Sequence, residues 1–186
     1  TATLPPVCDF TVFGGTGDLA LRKLLPALYH RDLEGHLPAD TRIIGVSRSE
    51  IDDAGYRLEV RAALERFVEP ALLEEAAIAR LLGRLHHLCL DSDTPDDWHL
   101  LHGLLKDRPR EDETVRVFYL AVAPRLFGPT CERLAEIDVV DERARVVLEK
   151  PIGHDLASAR EVNDAVGRVF AEHQVFRIDH YLGKET

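Results

Sequence analysis

Six short apolar runs alternate with helix-patterned segments from one end of the 186-residue chain to the other, and that alternation restricts the fold more than any single residue does. The runs are Val7 to Phe13, Arg42 to Val46, His86 to Leu90, Val115 to Val122, Arg145 to Leu148 and Val175 to Ile178. The fourth is long, apolar and rich in valine and aromatics, the composition of a strand buried on both faces. Between the runs, Leu24, Leu25, Leu28 and Leu33 mark a first helix, with Pro26 suited to its opening turn and Gly35 to its stop. Tyr56 to Phe67, Leu72 to Leu82, Asp97 to Leu105 and Leu126 to Ile137 carry further helical patterns. Asp155 predicts an N-cap for a helix whose Leu156, Ala159, Val162, Val166 and Phe170 share one face. Such alternation implies parallel strands joined by right-handed crossovers. The expected fold is a single α/β domain over residues 1–186, with a doubly wound, mostly parallel six-stranded sheet.

Composition narrows the partners. A hydrophobic share of 45% and a charged share of 30% belong to a soluble globular chain. The net charge of −10 is spread along the sequence, which argues against nucleic acid or an anionic membrane as partner. It leaves room for small anionic ligands in a local basic pocket. No run of about 18 apolar residues predicts a membrane span, and Thr1 to Pro6 lacks a signal pattern. Cys8, Cys89 and Cys131 are odd in number and widely spaced. Two of them fall in strand-like runs, so buried free thiols, a reducing cytoplasm and no metal site are the expectation.

The first strand ends in Gly14-Gly15-Thr16-Gly17-Asp18-Leu19-Ala20 and leads into a helix. Gly15-x-Gly17-x-x-Ala20 meets the dinucleotide fingerprint of a Rossmann-type domain, and Gly14-x-x-Gly17 gives a second register. In either, glycines turn the backbone tightly and bring N–H groups against a pyrophosphate, beside the positive end of a helix. An NAD-selective site places an acid after the second strand to accept from the ribose 2′-hydroxyl. Here Ser47-Arg48 stands there, and a guanidinium suits a 2′-phosphate. Glu50, two residues on, keeps NAD or dual use open, and Arg48 as a solvated turn residue is the plain alternative.

The last strand runs into Asp179-His180-Tyr181-Leu182-Gly183-Lys184. In an open α/β sheet, ligands bind beyond the carboxyl ends of the strands. His180, Tyr181 and Lys184 together offer donors and positive charge to a phosphate. Asp179 cannot hold an anion and is suited instead to orienting a histidine base. A polar turn closed by Gly183 is the bland reading. The chain stops at Thr186, directly after this cluster, which predicts a piece of a longer protein.

Taken together, these blocks resemble the glucose-6-phosphate dehydrogenase family. The resemblance rests on Gly14 to Ala20 with Arg22-Lys23-Leu24, on Arg48, on Tyr119-Leu120-Ala121-Val122-Ala123-Pro124, on Glu149-Lys150-Pro151, and above all on Arg177 through Glu185. Order and spacing agree along essentially the whole chain, least clearly from Ile51 to Thr114. The resemblance implies that Gly14, Gly15, Thr16, Gly17, Asp18, Leu19, Ala20 and Arg48 hold NADP, with NAD as a possible second cofactor. It implies that Asp91 and Ser92 line the nucleotide side, and that Lys150 bridges cofactor and sugar. Pro151 matches a position the family often holds cis. His180, Tyr181 and Lys184 would bind the 6-phosphate of glucose 6-phosphate, and Asp179 would orient the catalytic histidine.

That histidine belongs, in the family, to a second and larger substrate and dimerisation domain following the signature. None of the nine histidines here stands in its place, so the chain alone is expected to lack dehydrogenase turnover. The full-length protein is expected to be a cytoplasmic homo-oligomer that oxidises glucose 6-phosphate to 6-phosphogluconolactone in the oxidative pentose phosphate pathway. A glucose–fructose oxidoreductase-like domain shares a Glu-Lys-Pro segment but lacks the Asp-His-Tyr-Leu-Gly-Lys block. A non-catalytic NADP-binding module is the remaining alternative.

Overall fold

Successive residues of the central strands enter opposite cores, which is why these strands are apolar on both faces. Val12 of β1 (Val7–Phe13), Tyr119 of β4 (Thr114–Leu120) and Val147 of β5 (Arg145–Glu149) belong to one cluster. Their neighbours Phe13, Phe118, Leu120, Val146 and Leu148 belong to the other. The first cluster is closed by α1 (Leu25–Leu33), α2 (Asp53–Phe67) and α3 (Glu75–Gly83) through Leu25, Tyr29, Tyr56, Val60, Leu64, Ile78 and Leu81. The second is closed by α4 (Pro95–Lys106), α5 (Phe127–Glu136) and α6 (Leu156–Gly167) through Trp98, Leu101, Leu105, Phe127, Leu134 and Val166.

The computed structural model describes residues 6–179. With β2 (Arg42–Ser47), β3 (Leu85–Cys89) and β6 (Val175–Ile178), the sheet has strand order β3-β2-β1-β4-β5-β6, and every pairing is parallel. The order reverses between β1 and β4, so the sheet has the Rossmann arrangement with its switch point at the ends of Phe13 and Leu120. Expected mostly parallel, the sheet is wholly so.

Boundaries differ from the sequence reading where local chemistry intervenes. The expected strand to Val122 stops at Leu120, because Ala121 turns away after donating its N–H to Phe13 O at 2.9 Å. Leu72 lies in a 3-10 turn, Pro70–Leu72, ahead of α3 rather than in it. Pro26 occupies the first turn of α1, yet helical backbone precedes it: a π-helical turn, Ala20–Leu24, follows from Asp18 and Leu19. Proline has no N–H for residue Arg22 to receive, and the widened turn sits immediately upstream of that gap. Asp155 caps α6 as expected, accepting Ser158 N–H at 2.8 Å while the Ser158 hydroxyl accepts from Asp155 N–H at 3.1 Å. The cysteine expectation fails in part. Cys131 is buried on α5, where burial pushes its thiol up to about 12, and Cys8 is half-buried with its thiol at about 11. Cys89 is exposed, because β3 is an edge strand and Cys89 is its last residue.

The amino ends of the strands are tied by buried charge. Asp9 of β1 is fully buried and receives Arg42 bidentately, Nε and Nη2 both at 2.8 Å, and Arg108 as well. Arg42 and Arg108 also donate to the carbonyls of Leu104 and Asp40. Asp32, at the end of α1, pairs with Arg84 and Arg80 at 3.0 and 2.8 Å. Arg116 on β4 is buried against Glu111.

Removing Asp9 would leave two guanidinium groups with reduced compensation, one of them 6% exposed. Asp9→Ala should cost about 3–5 kcal/mol, read as a lower urea midpoint with an unchanged slope. Glu111 gives a pH prediction. The hydrogen bond from Arg116 first, then Lys106 Nζ at 3.1 Å, hold its carboxyl down near 2. A depressed carboxylate contributes stability above its ordinary value of 4.5, and that contribution is lost as pH falls toward 2. Glu111→Gln should therefore flatten the decline of the urea midpoint across that window and lower the midpoint at pH 7.

Candidate functional site

The Gly-rich loop is shaped by two close approaches. Gly14 has φ +84°, and a Cβ on it would lie 2.2 Å from Ala121 O, the carbonyl that leaves β4 across the switch point. A Cβ on Gly15 would lie 2.7 Å from the Cα of Gly45 in β2. Both loop N–H groups donate to Val46 O, at 2.9 Å from Gly14 and 3.1 Å from Gly15, and Gly17 N–H donates to Gly14 O at 3.0 Å. Gly17 is less crowded, with Gly14 O 3.2 Å from its ideal Cβ. The first two glycines therefore serve the protein's own packing. Gly17 stands where the loop enters the helix, and its carbonyl accepts from Leu21 N–H at 3.0 Å.

Beneath the loop lies Tyr56, which the sequence reading placed only as a helix residue. Its ring fills the space beside Gly45, where a Cβ would come within 2.6 Å of the ring, and its hydroxyl donates to Gly15 O at 2.9 Å. Burial pushes its phenol far above the ordinary value, so it stays protonated and able to donate. A glycine inside an apolar strand is the signal that points to such a contact.

At the carboxyl end of β2, Arg48 is exposed and Ser49 Oγ lies 3.3 Å from Thr16 Oγ1, joining this corner to the Gly-rich loop. Ser49 N–H donates to Ser47 Oγ at 3.2 Å, and Ser47 Oγ lies 2.9 Å from His87 Nε2 on β3. Glu50 is exposed beside them. Asp91 and Ser92 lie beyond β3 on the outer side of this corner. Asp91 N–H bonds Asp97 at 2.8 Å, and Ser92 O accepts from the Trp98 indole at 3.1 Å. Ser49 and His87 were not foreseen, since neither matches a motif.

Across the switch point, Lys150 follows β5, exposed, with its N–H donating to Ile178 O at 2.9 Å. The Lys150–Pro151 peptide is cis. Gly153 packs on the capped start of α6, its ideal Cβ 2.5 Å from Ala159 N, which fixes the loop behind Lys150. Tyr119, buried in β4, donates its hydroxyl to Glu149. Asp179, directly after β6, is half-buried beside this corner, since Glu149 and Ile178 are in register. His180, Tyr181 and Lys184 lie outside the described residues.

The described residues thus bring Gly14 to Ala20, Arg48, Lys150 and Asp179 to one edge of the sheet, with Asp91 and Ser92 at its far corner. A cavity of about 310 Å³ adjoins the Lys150 loop between α5 and α6, lined by Pro124, Ile152, Gly153 and His154 among others. A comparable one of about 340 Å³ lies at the amino ends of the strands, where Arg84 and Arg108 are already paired with Asp32 and Asp9. Position decides between the two, because ligands of such sheets sit at the carboxyl ends. Among the described residues no cluster of His, Cys, Asp or Glu could hold a metal ion, and no helix is long and apolar enough to cross a membrane.

Gly45→Ala should push its methyl into the Tyr56 ring and cost about 1–3 kcal/mol. Tyr56→Phe, which keeps the ring but not the bond to Gly15 O, should cost about 1 kcal/mol. Urea unfolding of the two variants checks both figures, and the ranking should be Gly45→Ala worse than Tyr56→Phe.

Comparison with known proteins gives this geometry its relatives. Residues 11–186 match the family profile "Glucose-6-phosphate dehydrogenase, NAD binding domain". Glucose-6-phosphate 1-dehydrogenase of Mycolicibacterium smegmatis is 57% identical over 180 residues, 96% of this chain and 36% of that protein. The enzyme of Rhizobium meliloti is 47% identical over 178 residues, again 96% and 36%. Among solved structures, a glucose-6-phosphate dehydrogenase in complex with its substrate superposes with TM-score 0.85 at 33% identity, covering 100% of this chain and 39% of that one. The glucose-6-phosphate 1-dehydrogenase of Mycobacterium avium gives 0.84 at 35% identity, covering 96% and 37%. The chain spans little more than a third of the length of these relatives.

Proposed function

Because this chain belongs to the glucose-6-phosphate dehydrogenase family, we propose that its nicotinamide-dinucleotide crevice takes NADP in preference to NAD, as the coenzyme half of a full-length glucose-6-phosphate dehydrogenase. The observation that carries the preference is Arg48. It stands exposed at the end of β2 where an acid would accept from a ribose 2′-hydroxyl, on a turn joined through Ser49 to Thr16 of the Gly-rich loop. A guanidinium there pairs with a 2′-phosphate through two parallel N–H donors. The helix start beyond Gly17 is the part of the loop suited to a pyrophosphate, since Gly14 and Gly15 pack against Ala121 O and Gly45 and give their N–H groups to Val46 O.

The catalytic assignment follows the same edge. NADP, when bound, supplies the acceptor for hydride from C1 of glucose 6-phosphate, giving 6-phosphogluconolactone. Lys150, whose backbone N–H is held by Ile178 O, is assigned the bridge between cofactor and sugar by the family resemblance. Asp179 orients a histidine base contributed from outside residues 1–186, and the sequence assigns the 6-phosphate to His180, Tyr181 and Lys184. Asp91 and Ser92 flank the nucleotide corner. The whole protein then serves the oxidative pentose phosphate pathway, in the cytoplasm and as a homo-oligomer, with residues 1–186 as its coenzyme domain.

Nucleotide titration of the full-length protein tests this reading. Arg48→Ala should weaken NADP by about 1.5–3 kcal/mol, as for a charge-assisted hydrogen bond, and leave NAD nearly unchanged. Gly17→Val should abolish binding of both nucleotides, because a branched side chain occupies the approach to the pyrophosphate. Equal losses of NADP and NAD on Arg48→Ala would remove Arg48 from the 2′-phosphate.

A further inference from the structure

One polar chain lies behind Arg48 rather than in the crevice. His87, half-buried on β3, places Nδ1 3.0 Å from the Ile51 carbonyl and Nε2 2.9 Å from Ser47 Oγ. Its ring packs beside Tyr56, with centroids 5.2 Å apart, and its backbone N–H donates to Asp53 at 2.7 Å. A carbonyl only accepts, which assigns the proton of the neutral ring to Nδ1. Nε2 is then an acceptor, so the Ser47 hydroxyl must donate to it. That direction leaves the Ser47 lone pairs for Ser49 N–H at 3.2 Å.

The bond from Ser49 N–H to Ser47 Oγ closes a short turn whose middle residue is Arg48. The turn is held at two further points. Ser49 Oγ meets Thr16 Oγ1 at 3.3 Å, and the Arg48 carbonyl faces Cys89 Sγ at 3.6 Å. The imidazole thus sets the hydroxyl, the hydroxyl sets the turn, and the turn sets the backbone from which Arg48 projects. A site whose backbone is ordered before the ligand arrives loses less entropy on binding.

We propose that His87 is a positioning residue for cofactor discrimination, acting through Ser47 to hold Arg48 ready for a ribose phosphomonoester. This rests on the assignment of Arg48 to the 2′-phosphate. The contacts of His87 are to Ser47, Ile51, Asp53 and Tyr56, so its role here runs through Ser47. Its effect falls on the phosphate that distinguishes the two cofactors and leaves the shared pyrophosphate and nicotinamide contacts alone.

The two ring nitrogens can be tested apart. His87→Gln keeps an acceptor for Ser47 and gives up the bond to Ile51, whereas His87→Asn keeps the donor to Ile51 and gives up Ser47. Affinities of the full-length protein for NADP and NAD are measured in these variants, in Ser47→Ala, and in each combined with Arg48→Ala. His87→Asn and Ser47→Ala should weaken NADP about fivefold, the order of one net hydrogen bond, with His87→Gln and all NAD affinities within about twofold of the parent. In the Arg48→Ala background the fivefold loss should vanish, since the groups act on one another. The proposal is overturned if His87→Asn weakens NAD as much as NADP, if His87→Gln falls with His87→Asn, if neither variant changes NADP, or if the loss persists without Arg48. Should His87→Asn fail to fold, Ser47→Ala decides alone by the same criteria. Arg48→Ala by itself reads the underlying assignment, so failure there is distinguishable from failure of His87.

Discussion

The contact on which the site depends is the one between Tyr56, Gly45 and Gly15. A phenol reaches from α2 through the gap that a glycine leaves in β2 and donates to the carbonyl of the loop above. Three elements meet there within van der Waals distance, and none can shift alone. If β2 carried any side chain at position 45, the ring would be displaced and the loop would lose its floor. The same ring borders His87, with centroids 5.2 Å apart, so the floor of the Gly-rich loop lies next to the polar chain behind Arg48. Close packing of this kind is what lets a backbone be presented to a ligand in one conformation.

The two ends of the sheet are built on opposite principles. At the amino ends, carboxylates and guanidinium groups are paired inside the protein: Asp9 with Arg42 and Arg108, Asp32 with Arg84 and Arg80, Glu111 with Arg116. Such buried pairs gain little net stability against apolar packing, but losing one member is costly, so they fix which strand ends lie together. At the carboxyl ends, Arg48 and Lys150 are exposed. Charge is satisfied internally at the base and presented at the edge where ligands of this fold sit.

Much of this was legible in the sequence. The order of elements, the capping aspartate at Asp155 and the Gly-rich turn all write themselves locally, in periodicity and in residues with narrow conformational preferences. The family resemblance supplied Lys150, and Asp179 stood out by its place directly after the last strand. What stayed hidden was tertiary. Tyr56 looks like any apolar helix position until Gly45 is seen facing it. His87, Ser47 and Ser49 are ordinary polar residues, 40 or fewer positions apart, whose meaning comes from parallel register between β2 and β3. Cys89 reads as a buried strand residue because sequence alone does not say that its strand lies at the sheet edge. The end of β4 was overextended for a related reason: apolar residues continue past the point where Ala121 turns toward Gly14.

The strand order also works as a ruler. Arg48 leaves β2 and Lys150 leaves β5, and the sheet places β1 and β4 between them. Adjacent strands are spaced by about 4.8 Å, so the two corners stand about 14 Å apart across three hydrogen-bond ladders. That span is set by backbone pitch and not by any side chain, and no point substitution can stretch it. A molecule that engages both corners must lie across the strands rather than along them and pass over the Gly-rich loop between them. The separation of the corners is thereby written into peptide geometry, leaving to the corner residues the reach across it and the choice of chemical group at each end.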